Sequence, residues 1–292
     1  MFFLFENNDY LFCEVYLMKY MTFNSSCSYA GIANMLEQYG VDTTDREIAL
    51  GMRLPYLFAY SEGAYVSGPM LQKAEWFDIY LNSIGFALIE KKIPADKVID
   101  YLKEQKTAML GIKIENTGKH AVVYKGMESD ELIFINNKWE NEDVPSKIKF
   151  TEKELREKID AEVVVATLQS VRATKVCMID KLENSLAVLR ANVLEIVELC
   201  KQEVTVEDLQ FKLNTLFRPL FLDGITMLNL IGETELSKEW KVMQGNLLRA
   251  LRQDKNKSVK LGEYIFTDKL QVLEQRYAEL IRLELKKEKS EV

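Results

Sequence analysis

The chain has 292 residues, 48% hydrophobic and 28% charged, with a formal net charge of −7, enough for one large domain or two small ones. That acidic balance excludes a surface built to hold a nucleic-acid backbone, which needs clustered Lys and Arg, and docking on an anionic membrane. The opening apolar stretch is broken by Glu6, Asp9 and Glu14 and has neither a basic start nor a small-residue cleavage site. It is expected to pack as a strand, not to serve as signal peptide or membrane span. No other run is apolar enough to span a bilayer, so a cytoplasmic location is expected.

A helix is expected from Cys27 to Gly40, with Tyr29, Ile32, Ala33 and Leu36 on one face at helical spacing. Gly40 suits the residue after a helix end. Thr44 and Glu47 have the spacing of a capping box. Gly68-Pro69 opens a helix through Leu71, Ala74, Phe77, Leu81 and Ile84, stopped by Gly85, and Pro94 opens another with Val98 and Leu102 inward. Strands follow over Ala108 to Ile114, His120 to Tyr124 and Leu132 to Ile135, the last two joined as a hairpin by a turn at Met127–Glu131. Thr151 and Glu154 cap a short helix, and Val163 to Leu168 is a final strand. Helices first and an antiparallel sheet after is an α+β pattern.

Near residue 170 turn chemistry gives way to long helical periods, since Pro219 is the one proline after Pro145. Leu182, Leu186, Leu189, Val193, Ile196 and Cys200 form a heptad-like seam. Leu209, Leu213 and Leu216, then Leu270, Leu273, Tyr277 and Leu280, continue the style. Residues 1–170 are therefore expected as one domain and 171–292 as an all-helical bundle of four or five helices. Phe217, Leu220, Phe221, Leu222 and Ile225 are a surplus apolar cluster, suited to an interdomain or homodimer contact or to capping the bundle.

The four cysteines, Cys13, Cys27, Cys177 and Cys200, lack any CxxC or zinc spacing. The single histidine, His120, excludes a metal site built from several imidazoles. No metal or cofactor is called for. A free cysteine is mostly protonated at neutral pH, with a pKa of about 8.5. A helix N-terminus and a nearby imidazolium both favour the thiolate. Cys27 follows Asn24-Ser25-Ser26 and is followed at once by the amphipathic stripe, which puts it at a polar helix start. His120 opens a strand after Thr117-Gly118-Lys119, where a sheet rim holds an imidazole beside a cleft. A third group should accept the second imidazole N–H. Asn136 and Asn137 both end the paired strand; Asn137 is preferred because it lies one step past the strand end, and Asn136 stays open. A cysteine in an apolar helix is more often packing, and Cys13, Cys177 and Cys200 read as core. The joint pattern around Cys27 is what raises it above them.

The order of cysteine helix, histidine strand and amide-ended strand resembles the double-glycine leader peptidases of bacterial bacteriocin exporters, in the papain-like clan. It is more similar to the N-terminal domain of butirosin-biosynthesis protein H. The matching segments are Cys27 through Tyr39-Gly40, Gly51 to Tyr60, Lys119-His120-Ala121-Val122-Val123, and Asn136-Asn137, within residues 20–168. The resemblance implies a papain-like fold and acyl transfer, or amide or thioester hydrolysis, through a Cys27 thioester. It implies a small-molecule or peptide acyl substrate and an acyl-carrier protein as donor. The leader peptidases carry a glutamine six residues before the cysteine; Met21 stands there, leaving Asn24 and the Cys27 N–H as oxyanion donors. Tyr56, Phe58, Tyr60 and Tyr65 are expected to line the cleft and bind substrate. The competing expectation is an idle papain-like protein that binds a partner through its helical half.

Overall fold

The computed structural model describes residues 18–23, 26–114 and 118–291. The expected N-terminal strand, Cys13, Asn24 and Thr117 lie outside the described residues. Helix α1 (Ser28–Glu37) forms where the stripe requires it, and Tyr29, Ile32, Ala33 and Leu36 are fully buried. Helix α2 (Asp45–Gly51) starts on the expected capping box: the Thr44 hydroxyl accepts from the Glu47 N–H at 3.2 Å, and the Glu47 carboxylate accepts from the Thr44 N–H at 2.8 Å. A hairpin follows, β1 (Phe58–Ser61) and β2 (Ala64–Ser67), turned through Glu62 and Gly63, both at positive φ. Helix α3 (Ala74–Leu81) is shorter than the sequence suggests, because Gly68–Met70 forms its own 3₁₀ turn.

The sheet is six-stranded, mixed with helices in an α+β arrangement. Its strands are β3 (Phe86–Pro94), β4 (Ala108–Ile114), β5 (Gly118–Glu128), β6 (Glu131–Asn136), β7 (Lys147–Phe150) and β8 (Glu162–Ser170), in the order β3-β8-β4-β5-β6-β7 with every neighbour antiparallel. Strands β3 and β7 were not expected. Both are edge strands: in β3 the consecutive charges of Glu90, Lys91 and Lys92 break the period-two signal, while β7 alternates over only four residues, and the charges of both guard an open edge. One sheet face carries Leu110, Val122, Phe134 and Val165 and packs on α4 (Val98–Lys103) and α5 (Glu152–Lys158). The other carries Met109, Val123, Ile135 and Ala166 and packs under α1.

The second half is α6 (Ile179–Cys200), α7 (Val206–Phe211), π-helical turns at Leu213–Phe217 and Pro219–Gly224, α8 (Ile225–Leu230), α9 (Thr234–Leu251) and α10 (Thr267–Glu291). It is not entirely helical: β9 (Glu203–Thr205) pairs with β10 (Ser258–Lys260). Secondary structure changes near residue 170, but the core does not break there, and α1, α3, α6, α9 and α10 share one apolar interior. Phe58 meets Tyr277 edge-on at 5.2 Å, and the Tyr277 hydroxyl donates to the Pro55 carbonyl at 2.9 Å. The Phe58 N–H donates to the Ser185 hydroxyl at 3.0 Å, and Arg53 Nη1 lies 2.6 Å from the buried Glu288 carboxylate. The surplus cluster is spent inside the chain: Phe217, Leu220, Phe221 and Ile225 are buried, with Phe221 against Trp240. No helix among the described residues is long and apolar enough to cross a membrane.

Candidate active site

Cys27 is the N-cap of α1, half-buried at the helix start. Its Sγ accepts a hydrogen bond from the Ala121 N–H at 3.2 Å. That N–H is free for the thiol because of strand register. Val122 pairs with Asn136, the last residue of β6, so the preceding residue of β5, Ala121, has Gly111 of β4 on one side and no β6 residue on the other. Its N–H turns to Cys27, and its carbonyl accepts from Asn137 Nδ2 at 2.9 Å. Asn137 is fully buried, and its Oδ1 accepts from Asn34 Nδ2 on α1 at 3.0 Å. Two buried asparagines thus join helix and strand directly beneath the thiol.

His120 precedes Ala121 on β5, on the opposite sheet face. Its Nε2 lies 2.8 Å from Asn136 Oδ1. Asn136 Nδ2 donates to the Pro145 carbonyl at 2.9 Å, which fixes the amide so that oxygen faces the ring. Nε2 therefore carries the proton and Nδ1 the lone pair. The preference for Asn137 as the histidine's partner is corrected: Asn136 meets the ring, because alternation puts Asn136 on the face of His120 and Asn137 on the face of α1.

Cys27 and His120 line one cleft of about 250 Å³ together with Gln72, Met109, Lys119 and Val164. No hydrogen bond joins the thiol to the imidazole, contrary to the direct contact that the sequence pattern suggests. Burial pushes the Cys27 thiol up, against the lowering pull of the Ala121 N–H and its own. Burial also pushes the His120 imidazole down, opposed by Asn136 and by the field of Glu142. Both shifts favour the uncharged pair.

The aromatic residues expected in the cleft are elsewhere. Phe58 is a core residue against Tyr277, and Tyr56 lies beside Glu284 and Lys287 of α10. Tyr60 and Tyr65 pack against each other at 4.9 Å on the hairpin. Tyr65 is pushed up to about 12 by burial and its bond to Glu195. These positions lie on the side that receives the helical half, which composition alone does not reveal. Cys200 is buried as expected, but Cys177 is exposed. Met21 is half-buried with its N–H on the Lys138 carbonyl and is absent from the cleft wall. The carboxamide that reaches the wall is Gln72, whose Nε2 donates to the Pro69 carbonyl at 3.1 Å and whose Oε1 accepts from the Ser28 hydroxyl at 3.3 Å. Nothing in its local pattern marks Gln72; a tertiary fold brings it to Ser28.

No family model matches the chain, and no curated protein sequence does. Among solved structures the chain is similar to the peptidase domain of Streptococcus ComA, a bi-functional ABC transporter involved in a quorum-sensing pathway. The identity is 12% and the TM-score 0.37, over 52% of this chain and 98% of that one.

Proposed function

We propose that the protein is a cysteine-dependent acyl-transfer or hydrolytic enzyme, peptidase-like in its machinery, with Cys27 as nucleophile, His120 as base and Asn136 as the residue that orients the imidazole. The observation that carries the reading is the ring's bond to Asn136 at Nε2, which leaves the lone pair on Nδ1 of a ring that lines the same cleft as the thiol. Sγ attacks an acyl carbon as its proton passes to Nδ1; the C=O pair moves to oxygen. Collapse expels an amine or thiol that takes the proton from the imidazolium, leaving a thioester. Water or an amine then attacks, His120 takes its proton, and Cys27 is released and reprotonated. In this reading the Cys27 N–H is one oxyanion donor, and Gln72 becomes the second, in place of the glutamine absent at position 21, when its carboxamide turns Nε2 from the Pro69 carbonyl toward the thiol; losing one such donor costs roughly 10²–10³ in rate. The acyl donor is a peptide, a small-molecule ester or thioester, or a carrier-bound acyl group.

The binding-protein reading draws on the thiol's upward shift and the missing thiol–imidazole bond. Iodoacetamide labelling near neutral pH, mapped by mass spectrometry, separates the two. The enzyme reading expects Cys27 to react faster than the exposed Cys177 and to slow by about 10² on His120→Ala. A Cys27 slower than Cys177 and indifferent to that substitution would establish the idle protein.

A further inference from the structure

A second cavity, of about 520 Å³, adjoins the thiol cleft at Gln72, which lines both. Its walls come from the β1–β2 hairpin through Tyr60 and Val66, from Met70, from Trp76 of α3, and from Asn184 of α6. The volume is that of a small-molecule site, for which about 300–1,000 Å³ is usual. The Trp76 ring is held in place by Lys181 of α6, whose ammonium lies 4.4 Å from its centroid. At the rim, Lys73 pairs with Glu62 at 3.1 Å, which neutralises the charge nearest the mouth.

We propose that this groove holds the apolar acyl chain of the substrate, with Gln72 at the point where the chain passes from the thiol into the groove. The inference rests on the acyl-enzyme reading, and chemistry fixes the direction. His120 must protonate the leaving group and later deprotonate the incoming nucleophile, so both occupy the imidazole side of Cys27. The acyl chain must then run the other way, past Ser28 and Gln72, and what it meets there is the Val66, Met70 and Trp76 wall. The charged groups of the lining are Glu62, paired with Lys73, and Glu75, so what the Val66, Met70 and Trp76 wall itself covers is the apolar stem of the chain. The chain is therefore an aliphatic or aromatic acyl group, either a fatty-acyl chain or the apolar side chains of a peptide.

The test uses the full chain and three thiol reagents: iodoacetamide, its N-hexyl derivative, and a derivative carrying a Leu-Leu tail. Each rate at Cys27 is divided by the rate at the exposed Cys177 of the same molecule, which cancels the reagent's intrinsic reactivity. At least one tailed reagent should gain about tenfold or more over iodoacetamide, as burial of several methylenes would give. A gain confined to the hexyl tail identifies a fatty-acyl chain, and one confined to the dipeptide a peptidyl chain. Trp76→Ala should remove the gain. Should that variant fail to fold, Ala64→Phe, which fills the groove from the exposed hairpin, should do the same. If Cys27 reacts with none of the reagents, the acyl-enzyme reading fails by itself. The groove is then read in Cys27→Ala by titrating N-hexylacetamide, where saturable tryptophan quenching lost in Cys27→Ala/Trp76→Phe supports it. A gain below twofold with a reactive Cys27, or no saturable Trp76 signal with an inert one, overturns the proposal.

Discussion

Asn136 and Asn137 stand side by side in the chain and hold opposite faces of the same sheet, so their removal should read out differently. Asn136→Ala takes the acceptor from Nε2 and leaves the core untouched. The expected result is a loss of His120-dependent Cys27 labelling with the unfolding midpoint nearly unchanged. Asn137→Ala takes the side-chain donor from the Ala121 carbonyl and one of the acceptors from the Asn34 amide, whose bond to the Lys19 carbonyl remains, and should cost about 1–3 kcal/mol in chemical denaturation. A large stability loss from Asn136→Ala with none from Asn137→Ala would reverse these assignments. The pH profile follows from the two shifts. With His120 lowered from 6.5, the base stays neutral through pH 7, so base-assisted labelling should hold level and fall only on acidification below 6.5. In His120→Ala the raised thiol stands alone, and labelling should climb only at a pH above the ordinary 9.0. An acid limb above 6.5 in the wild type would contradict this. The sequence made both asparagines legible as candidates. The residue past the strand end does not turn back to the ring as expected of Asn137; alternation continues, so Asn136 shares the face of His120 and Asn137 faces α1.

At the scale of elements, the site depends on how closely α1 approaches the sheet. Gly31 lies one turn into α1, where a Cβ would come within 2.3 Å of Met109 Sδ and 2.9 Å of Asn137 Nδ2. Gly31→Ala should therefore lift the helix from β4 and cost about 1–3 kcal/mol despite alanine's better helix propensity. It should also weaken the Ala121-to-Cys27 bond and slow Cys27 labelling. A stabilised protein with unchanged labelling would show that the contact relaxes freely. Helix α1, the capping box of α2 and the four inner strands β8, β4, β5 and β6 are legible because local periodicity determines them. The hairpin of β1 and β2 is not: its residues read as a glycine-bearing aromatic segment, and their burial comes from α6 and α10, far along the chain. The π-helical turns are equally hidden. They follow the docking of this stretch on the hairpin, where the Ser67 hydroxyl donates to the Pro219 carbonyl at 2.8 Å, and Gly68, at φ 51°, leaves room for Asp223 and Met227.

For the whole molecule, the decisive feature is that one apolar interior runs from α1 through α6 to α10. The helical half supplies the surface on which the hairpin and the turn before Gln72 rest. Removing it would expose Leu57, Phe58, Leu71 and their neighbours together, an area too apolar to leave in water. It would also leave Arg53, held at positive φ beside Pro55, without Glu284 and Glu288. Burial alone would raise Glu288, yet it sits below the usual carboxylate range, held there by the Met178 N–H and by Arg53, so the pair spans the two halves of the chain. The fragment of residues 1–170 is therefore expected to lose fixed tertiary packing even though its sheet has a second core on the α4 and α5 face. The expected signs are a weak near-ultraviolet circular dichroism signal, dye binding to exposed apolar surface and a broad thermal transition. Selective labelling of Cys27 should vanish with them, because Gln72 and Ser28 lose the turn that joins them. A monomeric fragment with a sharp transition and full Cys27 selectivity would show that the thiol half is a self-sufficient domain and that the helical half is attached to it, not part of its interior.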